Sequence, residues 1–144
     1  MTLVKLENVQ ICQESHNWQD AIKISTQPLE NGGYVKTSYK DGIIENVEKL
    51  GPYFVISDDI AMPHARPEQG AIKTQIAITL FNQGVKFDGK NATPRLFITL
   101  SAKDNNEHLE ALAKISEILS DDAKVDKILK CQDVQTLYHY FKNF

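Results

Sequence analysis

Apolar side chains recur along this chain in two rhythms, alternation and a three-to-four-residue spacing, and the changes between them mark its elements. Val9 and Ile11 alternate, which predicts a short extended start. Trp18, Ala21 and Ile22 then share one helical face, with Ser15 or Asn17 as the cap. Pro28 is expected to open a new helical turn, because an interior proline removes a backbone hydrogen bond, and Gly32-Gly33 ends that segment. Tyr39, Ile43, Val47 and Leu50 predict a second helix over residues 36–50, stopped by Gly51-Pro52.

Residues 53–56 read as a buried strand, followed by an acidic turn at Asp58-Asp59. Residues 75–81 (QIAITLF) and 95–102 (RLFITLSA) are the clearest strands, rich in Ile, Thr and Phe. A turn at residues 82–84 separates them, and Val85 and Phe87 suggest a short additional strand. From residue 105 to 119, Leu109, Leu112, Ser116 and Leu119 form a stripe that Ala113, Ile115 and Ile118 widen. Ser120-Asp121 starts another helix holding Val125, Ile128 and Leu129, and a last helix is expected over residues 133–141. There is no repeat, low-complexity run or linker. The pattern predicts one α/β layered domain over residues 1–144, with a central sheet.

Composition narrows the functional classes. The 144 residues are 42% hydrophobic and 24% charged, which suits one globular core rather than disorder. The formal net charge is −3, from 16 basic and 19 acidic residues, and no basic run occurs, which speaks against nucleic-acid binding. No apolar run is long enough to insert into a membrane, and the first residues lack signal-peptide character. Cys12 and Cys131 lie far apart without a CxxC, so two packed, reduced thiols and a cytoplasmic setting are expected.

The candidate chemistry lies in IAMPHARPEQGA, residues 60–71. Pro63 and Pro67 restrict the backbone on both sides of His64, so the loop can hold one imidazole in a preset direction. Imidazole titrates at about pH 6.5, so a neutral ring is available as nucleophile, base or metal ligand. A hydrolase would need a nucleophile signature such as GxSxG, and a catalytic metal would need a ligand cluster such as HExxH; neither is present. No metal is therefore expected.

A phosphoryl acceptor needs less: position, and donors for the phosphoryl oxygens. Arg66 could supply a guanidinium fork, and His108, at a predicted helix start beyond a strand end, could supply a second ring. On the residues alone, His64 serves equally well as an ordinary loop histidine and Arg66 as a solvated one. Asp58 and Asp59 read as turn residues with a possible docking role, and His16 and His139 as surface residues.

Two stretches, GPYFVISDDIAMPHARPEQGA and, after VKFDG, ITLSAKDNNEHLEALAKISEIL, resemble the enzyme IIA components of the bacterial sugar phosphotransferase system, mannitol/fructose type. The resemblance spans essentially the whole chain and implies a mixed central β-sheet flanked by helices. It implies that His64 accepts a phosphoryl group from the phosphohistidine of the carrier HPr and passes it to a cysteine of an enzyme IIB. It further implies that His108 stabilises the phosphorylated state. The intermediate would be a covalent phosphohistidine, without any cofactor.

Mannitol- and fructose-type members usually carry an Arg-Glu pair before this loop, where the chain has Glu48-Lys49. With EKLGPYFV and AMPHARPE, it looks closer to the ascorbate-type branch, and Arg66 is expected to replace the missing arginine. Neither cysteine sits in a IIB-like loop, so HPr, enzyme IIB and the membrane enzyme IIC are expected as separate chains, with this one a monomer or homodimer. A regulatory IIA-like module, whose phosphorylation tunes a partner, is the alternative, and a metal-dependent hydrolase using His64 and His108 a weaker one.

Overall fold

The computed structural model describes residues 2–144. Four strands, β1 (Val9–Cys12), β2 (Ile60–Ala61), β3 (Gln75–Phe81) and β4 (Leu96–Ser101), form one sheet in the order β1-β3-β4-β2. β1 runs parallel to β3, β3 antiparallel to β4, and β2 parallel to β4, so the sheet is mixed as expected. Two helices, α1 (Trp18–Asn31) and α2 (Ser38–Leu50), cover one face. Three more, α3 (Asn105–Leu119), α4 (Asp122–Leu129) and α5 (Val134–His139), cover the other.

Every residue of β3 and β4 is buried, because both strands are central and both faces are covered. Ile76, Ile78, Leu80, Leu96, Ile98 and Leu100 point to the α3–α5 side. Ala77, Phe81 and Phe97 point to the α1–α2 side, where Phe87 and Phe54 join them. Each such large side chain contributes roughly 1.5–3 kcal/mol on burial.

The helix starts follow the sequence closely. Asn17, Asp104, Asp121 and Asp133 each cap their helix by accepting a backbone N–H three residues on. At Pro28 the structure departs from expectation: α1 continues through it instead of restarting. The carbonyl that Pro28 leaves without a donor is that of Ile24, and the Gln10 side-chain amide donates to it at 2.9 Å. A residue of β1 thus replaces the bond that the proline removes.

Residues 53–56 are not a strand. The Tyr53 and Val55 amides donate to Gly51 and Pro52 in a tight turn, and Met62 N–H returns to the Phe54 carbonyl. Only Phe54 is buried, while Tyr53 and Ile56 are 40% and 50% exposed. Val85 and Phe87 also fall outside any strand, although both side chains are buried. On α3 the buried stripe is Ala111, Ile115 and Ile118, with Leu112 and Leu119 at its margin. Leu109 is 63% exposed and Leu50, at the end of α2, 70% exposed. Leu50 lines the site described next.

Candidate functional site

The parallel pairing of β2 with β4 brings the carboxyl ends of two neighbouring strands to one edge of the sheet, where open α/β folds place their sites. His64 lies just beyond β2, and Leu100 N–H donates to the Pro63 carbonyl at 3.0 Å, extending the pairing up to the histidine. Beyond β4, Asp104 caps α3 and starts the turn that carries His108. Residues 44 positions apart in sequence thereby meet: the two imidazole centroids are 5.6 Å apart, with ring planes 49° apart. A cavity of about 260 Å³ opens between them, lined in part by Tyr39, Tyr53, Arg66 and Asp104.

The His64 ring is oriented by its own backbone. Nδ1 lies 2.7 Å from the Met62 carbonyl oxygen, which can only accept, so in the neutral ring Nδ1 carries the proton. The lone pair is then on Nε2. Burial, and after it the neighbouring His64, hold the His108 imidazole below its ordinary titration range.

The loop is held by more than its two prolines. Ala65 N–H donates to the Tyr39 hydroxyl at 3.0 Å, and that hydroxyl donates to the Leu100 carbonyl at 2.8 Å. The Tyr53 hydroxyl donates to the His64 carbonyl. Arg66 N–H donates to Gln69 Oε1 at 2.9 Å, and Asn46 of α2 bonds the same amide group. Gln69 comes this close to α2 because residue 42 is glycine; a Cβ there would lie 3.1 Å from Gln69 Cβ.

Tyr39, Tyr53, Asn46 and Gln69 were not recognised as site residues from the sequence. Tyr39 carries only a core signal there, since its helical spacing is that of Ile43 and Val47. Complete burial pushes its phenol up to about 12, so it stays protonated as both donor and acceptor. Tyr39→Phe strips Ala65 N–H of its partner, and a loss of about 1–3 kcal/mol in denaturant-induced unfolding is expected. An unchanged midpoint would show that the hydroxyl carries no structural load.

Arg66 reaches the cavity rim but is exposed, with Nε 3.1 Å from Glu68 Oε1. Asp58 and Asp59 turn the chain away from the cavity, where the Asp59 carbonyl accepts from Arg95 and Leu96. His16 and His139 do not line the cavity. Cys12 and Cys131 are free thiols, half-buried and buried. Among the described residues no group of three or more His, Cys, Asp or Glu is placed to hold a metal ion, and no helix is long and apolar enough to cross a membrane.

Comparison with known proteins adds an independent line. The family described as "Phosphoenolpyruvate-dependent sugar phosphotransferase system, EIIA 2" matches residues 2–144. The mannitol-specific cryptic phosphotransferase enzyme IIA component of Escherichia coli K12 is 34% identical over 130 residues, 90% of this chain and 88% of its own. The ascorbate-specific EIIA component of Salmonella choleraesuis is 32% identical over 136 residues, 93% and 88%. The solution structure of the Escherichia coli cryptic mannitol enzyme IIA superposes with a TM-score of 0.93 at 31% identity, covering 99% of this chain and 97% of that one.

Proposed function

The chain belongs to the EIIA 2 family of the phosphoenolpyruvate-dependent sugar phosphotransferase system, whose members are phosphotransferases, and from that premise we propose that His64 is its phosphoryl acceptor. The observation that carries this reading is the 2.7 Å contact of His64 Nδ1 with the Met62 carbonyl, which leaves Nε2 as the nucleophile at the edge of the cavity. HPr is the proposed donor and an enzyme IIB cysteine the recipient, with enzyme IIC reached only through IIB. Exposed Leu50 and Tyr53 on the cavity wall give such partners an apolar surface to dock on and exclude water.

The step balances without a cofactor. Nε2 attacks phosphorus in line as the bond to the HPr histidine nitrogen breaks, and the bonding pair returns to the HPr ring. His64 becomes an N-phosphorylated imidazolium. Nδ1–H keeps its proton, and the Met62 carbonyl stabilises the positive charge. His108 donates a ring N–H to a phosphoryl oxygen. Arg66 adds charge when its guanidinium turns from Glu68 towards the phosphoryl group.

Because Glu68 competes for that guanidinium and solvent screens it, Arg66→Ala is expected to slow transfer only about tenfold, or about 1.4 kcal/mol of barrier. Rapid-quench rates with phospho-HPr check this, and an unchanged rate removes Arg66 from the site.

The ascorbate-like signature does not separate the substrate classes, since the mannitol- and ascorbate-type relatives are nearly equally similar. We favour ascorbate or a related substrate on the AMPHARPE signature alone. Incubation with phosphoenolpyruvate, enzyme I and HPr tests the carrier reading by appearance of acid-labile phosphate on the chain. Transfer onward to ascorbate-type but not mannitol-type IIB would support the finer assignment, and the reverse would overturn it.

A further inference from the structure

The peptide unit joining His64 to Ala65 is gripped at both ends by phenols from different elements. Tyr53, in the turn after α2, donates its hydroxyl to the His64 carbonyl. Tyr39, inside α2, accepts the Ala65 N–H at 3.0 Å. On the other side of the His64 Cα, the Pro63 carbonyl is held by Leu100 N–H at 3.0 Å. With both flanking peptide planes fixed, the Cα–Cβ direction of His64 is fixed too. The ring is then set by Met62 O on one nitrogen and by the Tyr53 ring, edge-on at 5.4 Å with planes 89° apart.

The two phenols divide the work. Tyr39 is fully buried and also bonds Leu100 O, so its loss is felt by the fold. Tyr53 stands at the rim, 40% exposed, with its ring braced against Phe54 at 5.1 Å. Its hydroxyl donates to the carbonyl of the acceptor residue itself.

We propose that Tyr53 is a positioning residue for phosphoryl transfer, whose hydroxyl and ring edge latch His64 so that Nε2 meets the incoming and the departing phosphorus in line. The proposal rests on the carrier reading for the reaction and on the contacts above for the geometry. In-line transfer has little covalent chemistry for the protein to assist, so alignment carries much of the rate, and a misplacement of about 1 Å can cost about 10²-fold. Proline restraint acts on φ of Pro63 and on the residues preceding each proline; it leaves ψ of His64 free, and the Tyr53–Tyr39 grip supplies that constraint.

Tyr53→Phe removes the hydroxyl but keeps the ring, and Tyr53→Leu removes both. Phosphoryl uptake from phospho-HPr is expected to show kcat lowered about tenfold in Tyr53→Phe and further in Tyr53→Leu, with KM for HPr in Tyr53→Phe unchanged. In the unphosphorylated protein, His64 ring resonances should broaden or average in NMR spectra of Tyr53→Phe while the melting temperature holds. A raised KM at constant kcat would make Tyr53 a docking residue only and overturn the proposal, as would kinetics and ring resonances like those of the wild type. Failure of the wild type itself to take up phosphate would sink the carrier reading and with it the role in transfer, while the NMR comparison would still decide whether the latch orders the ring.

Discussion

His64→Gln is expected to abolish phosphoryl uptake, with radiolabel from phosphoenolpyruvate falling to the level of a reaction lacking this chain. Glutamine preserves polarity and much of the volume on a loop that other residues hold, so folding should survive. What it lacks is a nucleophilic nitrogen, since the amide lone pair is delocalised into the carbonyl. His108 cannot take over. Its ring lies on a different element, 5.6 Å from that of His64 between centroids, and is not aimed by the Met62 carbonyl. Label persisting in His64→Gln, or mapping to His108, would overturn the assignment.

His108→Gln comes second in size. Removing one preorganised donor to charge that develops in a transition state typically costs about 10²–10³-fold in rate, and about 10²-fold is expected here because a glutamine amide can still donate. Docking should be little affected, so kcat falls with KM nearly constant. A pH titration checks the same contact. In the free protein, burial and then the nearby His64 depress the His108 pKa, so the ring stays neutral to lower pH than an ordinary imidazole. The depressed folded-state value means that the stability tied to this neutral ring is present above the ordinary imidazole range and is lost as pH falls through the folded pKa. Phosphorylation of His64 places a dianion beside the ring and reverses the electrostatic cause, so the His108 titration should move upward in NMR spectra of the phosphorylated form. An unmoved titration would place His108 away from the phosphoryl group.

Much of this was legible in the sequence because it is local. Asn17, Asp104, Asp121 and Asp133 announce their helices through one backbone bond each, and residues 75–81 declare a strand through β-branched and aromatic content. Pro28 misled because the donor that satisfies Ile24 O comes from Gln10, on another element, and no local rule contains that pairing. Residues 53–56 misled because a short apolar run has the same composition in a strand and in a turn that buries one ring. On α3 the helix was found, and Ile115, Ile118, Leu112 and Leu119 do pack inward, but Ala111 was missed and Leu109 was misplaced. Leu109 is exposed rather than in the core, and periodicity cannot separate an apolar residue that packs from one left open to solvent.

The sequence by itself determined most of the elements, the α/β class and the loop histidine put forward as the acceptor, because backbone propensity, burial period and the PH loop are all written within a few positions of one another. Only the tertiary structure decided that His108 stands beside His64, that Nε2 is the free nitrogen, and that Tyr39 and Tyr53 grip the peptide between His64 and Ala65. Those contacts join residues as far apart as Tyr39 and Leu100, and what unites them is the parallel pairing of β2 with β4. Strand order is set by how both faces of the sheet are covered at once, and that is a property of the whole chain.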